Sequence, residues 1–392
     1  MTVMATTVAG ISCCSCSSLS LVATSGWRRS TEGRSLICRR GDYCGSSALL
    51  KSSKNHKSKF KVESHFPHER RKRPWRLSVA RAAAGSSGNG ANTTTDGGAA
   101  GDQVLRCIST AAEVSILTLV ATDVVHEAQT RHKTSPTASA ALGRALMGTL
   151  LLGAMKGPNE TVQITFLGQG PLGQMTTVAS GKNMVKGFVG NPLCQTPLKA
   201  DGKLDVGSAV GTGILTVVRN NPTWKEPYSG TIPIYSGEVA EDIAHYLADS
   251  EQLNVALGLG VSFNRDTSVK FAGGFLVQVL PFCSDETLST LETNILTMPS
   301  LSDSEGLTAQ QITEYILKDI GVGDYNDLPE PKFGPCTVEE LKPRMMRAVG
   351  SLGPSDVKNI LAEQGHVEVK CEFCAEVVRF GEADLQAILQ PN

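Results

Sequence analysis

The sequence predicts an α+β fold: a mainly antiparallel sheet with packed helices, then a helical linker and a small C-terminal module that resembles a zinc knuckle. Segments with the residue pattern of β-strands follow one another, separated by turns that contain Gly, Pro and Asn, and few helical patterns lie between them. Two cysteines, Cys371 and Cys374, stand between two runs that alternate apolar and polar residues. We therefore expect a large sheet-based body before a small thiol-bearing end.

The N-terminal segment differs in charge from the rest of the chain. Residues 1–81 contain 16 Lys or Arg and four acids, out of 37 and 38 in the whole chain, so 21 and 34 remain. A Ser-rich, Arg-rich and acid-poor leader is typical of an organellar transit peptide, and residues 82–101 have the composition of a flexible spacer. We expect import into the chloroplast, with the mitochondrion as the alternative, and no packed contacts before about residue 100.

The remaining residues exclude several classes of protein. The acidic balance disfavours a nucleic-acid binder, although the leader alone could be a basic arm. No membrane span is expected, because the most apolar run, 116–125, is short and carries Asp123. The single thiols Cys107, Cys194 and Cys283 lie in apolar surroundings, so we expect them to be buried and inert rather than parts of a disulfide framework.

The body reads as strands with two main helices. Ser135 and Pro136 are typical of a helix start, and an apolar stripe follows them. A second amphipathic helix is predicted over 238–250, with acids in its first turn. Strands are predicted over 104–108, 114–120, 161–167, 174–179, 184–189, 213–218, 231–235, 255–263 and 269–280, and further helices over 284–296 and 308–320.

One motif in the body imitates a nucleotide site. Residues 168–173 match the Gly-x-Gly-x-x-Gly string of dinucleotide-binding proteins. That string binds a pyrophosphate because a helix begins directly after it, whereas here Pro171 and a strand-like run follow. The spacing predicts a hairpin turn. His245 is read as a surface residue of the second helix.

The C-terminal cysteines leave three interpretations open. A Cys-x-x-Cys turn between strands is typical of half a zinc site, its two sulfurs could form a disulfide, or both could be core residues. Cys336 and His366 are the nearest further ligands, and with Cys371 and Cys374 they would make a Cys3His set. Spacing alone does not choose between these interpretations.

Several stretches together resemble the 33-kDa chaperonin family, heat-shock protein 33, in family order from about residue 102 to 390. The stretches are Ser135-Pro-Thr-Ala-Ser-Ala, Gly168-Gln-Gly-Pro-Leu-Gly, Asp201-Gly-Lys-Leu-Asp-Val-Gly, Glu226-Pro-Tyr-Ser-Gly, Ser236-Gly-Glu-Val-Ala-Glu-Asp, Ser250-Glu-Gln, Ala272-Gly-Gly-Phe-Leu and Cys371-Glu-Phe-Cys. The resemblance implies an ATP-independent holdase, not an enzyme, that binds unfolding or oxidatively damaged proteins. It implies a four-cysteine zinc centre whose oxidation forms two disulfides, releases the metal and unfolds the module that covers the client surface. The active form is expected to be able to dimerise.

The chain departs from the family at one half of that centre. The family's Cys-x-Cys pair aligns with Val338 and Glu340, and Cys336 is the one cysteine nearby. The resemblance therefore transfers redox and metal roles to Cys371, Cys374 and Cys336, and His366 or a carboxylate such as Glu339 would complete a zinc site.

We expect four regions and one leading function. Residues 1–101 are the leader and spacer, 102–300 the client-binding domain, 301–335 the helical linker and 336–392 the thiol module. The leading hypothesis is a holdase with an altered thiol switch. The alternatives are a holdase without redox control and a thiol oxidoreductase that uses Cys371 and Cys374, although an active Cys-x-x-Cys usually opens a helix.

Overall fold

A computed structural model describes residues 101–303, 306–334 and 337–389, together with two strands in 7–13 and 16–23. The chain divides into a unit of residues 1–4 and 25–76, which lies outside the described residues, and a unit of residues 5–24 and 77–392. Everything that follows concerns the second unit.

The described residues form an α+β fold, as the sequence predicts, in which runs of strands are separated by one or two helices. The strands are β1 (Thr7–Cys13), β2 (Cys16–Ala23), β3 (Gln103–Ser109), β4 (Val114–Val120), β5 (Thr161–Gly168), β6 (Gln174–Ser180), β7 (Met184–Val189), β8 (Gly213–Asn220), β9 (Tyr228–Pro233), β10 (Val255–Phe263), β11 (Val269–Val279), β12 (Val322–Asp327), β13 (Lys332–Phe333), β14 (Val367–Cys371) and β15 (Val377–Phe380). The helices are α1 (Thr122–His132), α2 (Pro136–Ala154), α3 (Val206–Val210), α4 (Ala240–Asp249), α5 (Asp285–Thr297), α6 (Ala309–Ile316), α7 (Val338–Gly350), α8 (Pro354–Gln364) and α9 (Glu382–Leu389).

The body contains two mostly antiparallel sheets. One has the order β10-β11-β4-β3-β12, and the other has the order β13-β7-β6-β5-β8-β9, in which only the short β13 pairs in parallel. The largest apolar core draws its residues from both sheets and from α1, α2 and α4. The mainly antiparallel sheet of the prediction is confirmed, divided between two sheets.

Helix α2 is the central helix of the body. The Ser135 hydroxyl accepts a hydrogen bond from the Ala138 N–H at 3.3 Å and caps it, as predicted. The helix is long and apolar enough to cross a membrane, which corrects the expectation that no stretch would be. The expectation rested on continuous apolar runs, whereas the apolar residues of this helix are interrupted by Gly, Thr and Arg residues. Of its most apolar 18 residues, 94% are buried inside the protein, which is the position of a core helix.

The two faces of the second sheet have different neighbours. Thr177 on β6 lies 2.6 Å from the Thr149 hydroxyl of α2, so its face is the inner one. Side chains alternate along a strand, and Thr176 pairs in register with Phe188 of β7. Phe188 and Val178 therefore belong to the opposite face, which we call the outer face.

The leader is not wholly without contacts, contrary to expectation. Strands β1 and β2 form a hairpin, and β2 pairs with β14 through Leu21 and Val369 and through Leu19 and Cys371. The residues of β2 alternate in part between apolar and polar, and an edge strand such as β14 offers unpaired N–H and C=O groups to them. The rest of the predicted transit peptide and spacer lies outside the described residues.

The predicted helical linker contains strands as well. Helix α6 begins with a capping box between Thr308 and Gln311. Strand β12 then joins the first sheet beside β3, and β13 joins the second. The alternation in β12 is weak, because none of its side chains is fully buried, so sequence periodicity did not reveal it.

Several smaller predictions can be compared with the structure. Residues 169–173 connect the antiparallel strands β5 and β6, as expected of a hairpin turn. His245 lies on the surface and pairs with Asp249. Cys107 and Cys194 are buried as predicted. Cys283 is only half-buried, which corrects the prediction, because it lies in the exposed loop between β11 and α5.

Residues 337–389 form a separate small core at the C-terminus. Buried side chains of α7, α8, β14, β15 and α9 meet there, among them Met345, Val357, Val369 and Phe380. The predicted strand, Cys-x-x-Cys turn and strand are confirmed as β14, the turn and β15. The three helices beside them were not predicted in detail.

Candidate functional site

The turn between β14 and β15 places the two cysteines together. The Cys371 N–H donates to the Glu376 carbonyl at 2.8 Å, and the Ala375 N–H donates to the Cys371 carbonyl at 2.9 Å. Ala375 has a φ of 58°, a left-handed conformation that lets the chain reverse within so few residues. We call residues 371–376 the thiol turn.

Both sulfurs of the thiol turn are buried and reduced. Cys371 is 6% exposed and Cys374 is fully buried, and neither forms a disulfide. The hydrogen bond to the Cys374 side chain and then burial raise the pKa of Cys371, against the opposing effect of the backbone N–H groups of Cys374 and Phe373. A raised pKa keeps the thiol protonated and slow to react. This is the opposite of an oxidoreductase nucleophile.

The two cysteines of the thiol turn can be compared with a zinc-binding turn. Two sulfurs on one side of a tight turn, with backbone N–H groups directed at one of them, are what a zinc knuckle supplies. Among the described residues, however, no three His, Cys, Asp or Glu side chains are grouped to hold an ion. His366 and Glu339 therefore do not join the pair, and His366 Nδ1 lies 3.0 Å from the Gln364 carbonyl instead. Cys336 lies outside the described residues.

The end of α1 contacts the backbone of the thiol turn. His132 Nε2 lies 3.2 Å from the Phe373 carbonyl oxygen, a contact in which only the ring nitrogen can donate. Arg131 Nη1 lies 3.5 Å from the Cys374 carbonyl oxygen and 3.1 Å from the Glu376 carboxylate. Burial lowers the pKa of His132, so the neutral ring is favoured there. Helix α1 thus holds the turn by two carbonyls and one carboxylate.

An aromatic contact stands beside these polar ones. Phe373, between the two cysteines, is 4% exposed and meets Phe188 of β7 edge-to-face, with ring centroids 5.2 Å apart. Phe333 of β13 lies near both basic residues: the Arg131 guanidinium is 5.9 Å from its ring centroid and the His132 ring 6.4 Å. The C-terminal module therefore packs on the outer face of the second sheet.

The outer face carries both polar and apolar side chains beyond the region that the module covers. Val178, Phe188 and Phe333 pack against the module core. On the same face, Leu167 of β5 pairs in register with Ile214 of β8, and these side chains are 42% and 43% exposed. Exposed apolar groups on the same face as a covered apolar patch are suited to binding other apolar chains once the cover leaves, and the hydrogen-bonded side chains of Gln174, Thr176 and Thr165 lie between the two.

The comparisons with known proteins cover the whole described body. The family described as "Hsp33 protein" matches residues 102–381. The chain belongs to the Hsp33 family. The 33 kDa chaperonin of Agathobacter rectalis is 38% identical over 288 residues, which are 73% of this chain and 98% of that protein. The relative from Desulforamulus reducens is also 38% identical and covers 74% of this chain and 97% of its own. The crystal structure of the Thermotoga maritima 33 kDa chaperonin superposes with a TM-score of 0.66 at 31% identity, over 73% of this chain and 97% of that one.

Membership in the Hsp33 family gives the chain the function of an Hsp33-family chaperone, whose binding partners are unfolded proteins. Cys371 and Cys374 were predicted as site residues from the sequence, whereas Arg131, His132 and Phe188 were not. No local pattern marks them, because they become a site only through contacts more than 180 residues away in the chain.

Proposed function

We propose that this Hsp33-family chaperone is an ATP-independent holdase whose client-binding face is covered by the C-terminal module until that module is released. The observation that carries the proposal is the packing of the thiol turn on the outer face, through Phe373 and Phe188. The same face continues into exposed Leu167 and Ile214. Release would add the covered apolar side chains to the exposed ones on a face that also carries Gln174, Thr176 and Thr165, and unfolded or oxidatively damaged proteins would bind there.

Oxidation is proposed to keep the module open after it has been released, with Cys371 and Cys374 as the reacting pair. With a peroxide as oxidant, both S–H bonds break, one S–S bond forms and hydrogen peroxide is reduced to two water molecules. The burial of both sulfurs and the raised pKa of Cys371 oppose this reaction in the closed protein. We therefore infer that local opening, by heat for example, comes before oxidation, and that the disulfide then prevents the module from closing.

This order of events also supports a holdase without redox control as the second candidate. If opening alone exposes the outer face, heat would activate the protein and oxidation would only prolong the active state. The burial of both sulfurs, away from a dissolved oxidant, is the observation that favours it. The two candidates differ in whether activity persists after the sample is cooled with peroxide present.

Zinc would bind at the thiol turn if further ligands complete the half-site. Cys371 and Cys374 would supply two thiolates and Cys336 a third. His366 would be the fourth only after its ring leaves the Gln364 carbonyl. A bound metal would add folding free energy to a module of about 55 residues, which is small for a core to stabilise alone. Metal analysis of the reduced protein, with Cys336→Ser as the comparison, tests this part.

A cysteine substitution tests the proposed function. Cys371→Ser puts a hydroxyl into the module core and should destabilise the module by about 1–3 kcal/mol. The variant should then suppress aggregation of a heat-unfolded client, followed by light scattering without ATP, under reducing conditions that keep the native protein inactive. Cys283→Ser, which changes a half-buried thiol outside the module, is the control. A Cys371→Ser protein that stays inactive until peroxide is added would contradict control by module release.

Two further parts of the proposal concern place and assembly. We propose that residues 1–101 direct the chain to the chloroplast, with the mitochondrion as the alternative. A fluorescent protein fused behind these residues should enter the organelle and lose the leader. We also propose that the open form can dimerise, because release uncovers apolar side chains on the outer face. Sedimentation before and after activation measures that.

A further inference from the structure

The body holds the thiol turn by features that any polypeptide possesses. His132 and Arg131 bond two successive carbonyl oxygens, those of Phe373 and Cys374, and carbonyls are present in every sequence. A polar side chain of the turn, the carboxylate of Glu376, lies 3.1 Å from Arg131. The cysteine side chains themselves face the module core. Recognition of the turn by the body therefore does not depend on its thiols.

The apolar part of the contact is a place for one aromatic ring. Phe373 lies edge-to-face with Phe188 at an interplanar angle of 87°, the arrangement that aromatic pairs favour. Val178 and Phe333 pack against the same small core and border this place. A ring, two carbonyls and a nearby carboxylate are features that a short peptide ligand would present. Such a ligand would be bound partly through its main chain and partly through a side chain in a pocket.

We propose that Arg131, His132 and Phe188 form a binding site for an unfolded polypeptide segment that carries an aromatic residue followed closely by an acidic one. Residues 373–376 occupy this site in the closed protein as an internal substitute for the client. The proposal rests on the proposed holdase function and adds the place on the outer face and the class of segment. An unfolded protein then competes with the thiol turn for one site.

A competing internal segment has a consequence that simple covering lacks. If Phe188 and Phe373 only joined the module to the body, removing either ring would loosen the module and increase client binding. If Phe373 occupies a client site, removing it empties the site, whereas removing Phe188 damages the site itself. The two truncations should change client binding in opposite directions.

The test uses the full chain and a defined probe. The probe is a fluorescein-labelled peptide of residues 369–379 with serine at both cysteine positions, and its binding is followed by fluorescence anisotropy under reducing conditions. A second peptide with Phe373→Ala is the matched control probe. The protein variants are Phe373→Ala, Phe188→Ala and Arg131→Ala. Arg379→Ala is the control variant, since its ion pair with Glu368 lies within the module hairpin.

We expect Phe373→Ala to bind the probe about tenfold more tightly than the native chain, because the site is no longer partly occupied. Phe188→Ala and the double variant Phe188→Ala/Phe373→Ala should bind it about tenfold more weakly than Phe373→Ala does, through loss of the ring contact and its buried area. Arg131→Ala in the Phe373→Ala background should also weaken binding. Arg379→Ala should match the native chain, and the alanine probe should bind weakly throughout.

Three results would overturn the inference. The first is tighter probe binding by both Phe188→Ala and Phe373→Ala, which would make the contact a simple cover. The second is equal affinity for the two probes. The third is that dimer formation accounts for all changes in probe binding. The ligand of the site would then be the thiol turn of a second copy of the chain and not a client.

The same preparations separate this inference from the proposed function. Light scattering of a heat-unfolded client is measured beside the anisotropy. If the activated native chain does not suppress aggregation, the holdase function fails. If it does, and activated Phe188→Ala suppresses aggregation equally well, only the segment site is wrong. Circular dichroism of each variant confirms that a weak result does not come from an unfolded body.

Discussion

Asp102 is a buried carboxyl at the start of the folded body. It accepts hydrogen bonds from the N–H groups of Asp123 and Val124, at 3.0 and 2.9 Å, and so caps α1, whose own N-cap residue Ala121 offers no side-chain bond. Burial outweighs these bonds and raises the pKa of Asp102 to about 6. The residue therefore links the position of α1, and with it Arg131 and His132, to pH.

The stability of the protein should depend on the protonation of Asp102. Because the folded pKa is raised, the stabilising contribution of the protonated form is full below about pH 4 and is lost as the pH rises through about 6. The free energy of unfolding of the native chain, relative to Asp102→Asn, should fall by up to about 3 kcal/mol between pH 4 and pH 7. Urea unfolding at four pH values measures this difference.

An exposed aspartate gives the comparison for that measurement. The Asp303 side chain is 62% exposed and pairs with Lys203, so Asp303→Asn should show little change with pH relative to the native chain. A difference between native and Asp102→Asn protein that stays constant across the range would mean that the buried carboxyl is ionised throughout, and the link between pH and α1 would be wrong.

At the residue scale, the sequence predicted the two cysteines of the thiol turn better than their surroundings. The Cys-x-x-Cys spacing specified the thiol turn because its geometry is local. Arg131 and His132 sit in a helix whose apolar stripe is weak, so neither the helix nor its contacts could be foreseen from periodicity. The predicted ligand His366 lies in a local turn that engages its own carbonyl neighbour, a detail that spacing does not encode.

At the scale of elements, the start of the linker depends on a glycine in β10. Leu301 and Ser302 approach Gly260 so closely that an added Cβ would lie 2.5 Å from the Leu301 Cβ and 2.7 Å from the Ser302 nitrogen. Backbone and Cβ atoms cannot move aside as the end of a long side chain can. Position 260 therefore decides how tightly the linker packs on the first sheet.

Gly260→Ala should loosen the linker while the rest of the body stays folded. We expect a loss of about 1–3 kcal/mol in the stability of this region, as for other overpacked positions. Hydrogen exchange over residues 301–317 should quicken, and client holding should begin at a lower temperature. Gly157→Ala, where nothing lies within 4 Å of the added Cβ, is the control. Unchanged exchange over 301–317 would show that the linker does not depend on this contact.

The elements themselves were largely predictable, for physical reasons that differ between regions. Strands β4, β7 and β10 match their predicted bounds. Strand β7 alternates buried and half-buried side chains, whereas β4 is an almost wholly buried apolar run. Strand β9 was placed about three residues too late, since its mostly exposed edge carries little pattern. The pairing of β2 with β14 joins segments some 350 residues apart, and no local signal predicts such a partner.

At the scale of the whole molecule, we propose that the C-terminal module and the client compete for the outer face. The thiol turn, the segment site and the linker are ways of shifting that competition by a few kcal/mol. If the two compete in this way, closure of the module would supply the free energy that releases the client, and the proposed holdase would need no nucleotide.

Hydrogen exchange and client holding measured in one series of samples test this claim most directly. The full chain is sampled reduced, heated, and heated with peroxide, and each sample is divided between exchange over residues 367–380 and light scattering of an unfolding client. The account predicts that protection of 367–380 is lost in the same proportion as client holding appears. Client holding that rises while residues 367–380 stay as protected as in the reduced protein would contradict it.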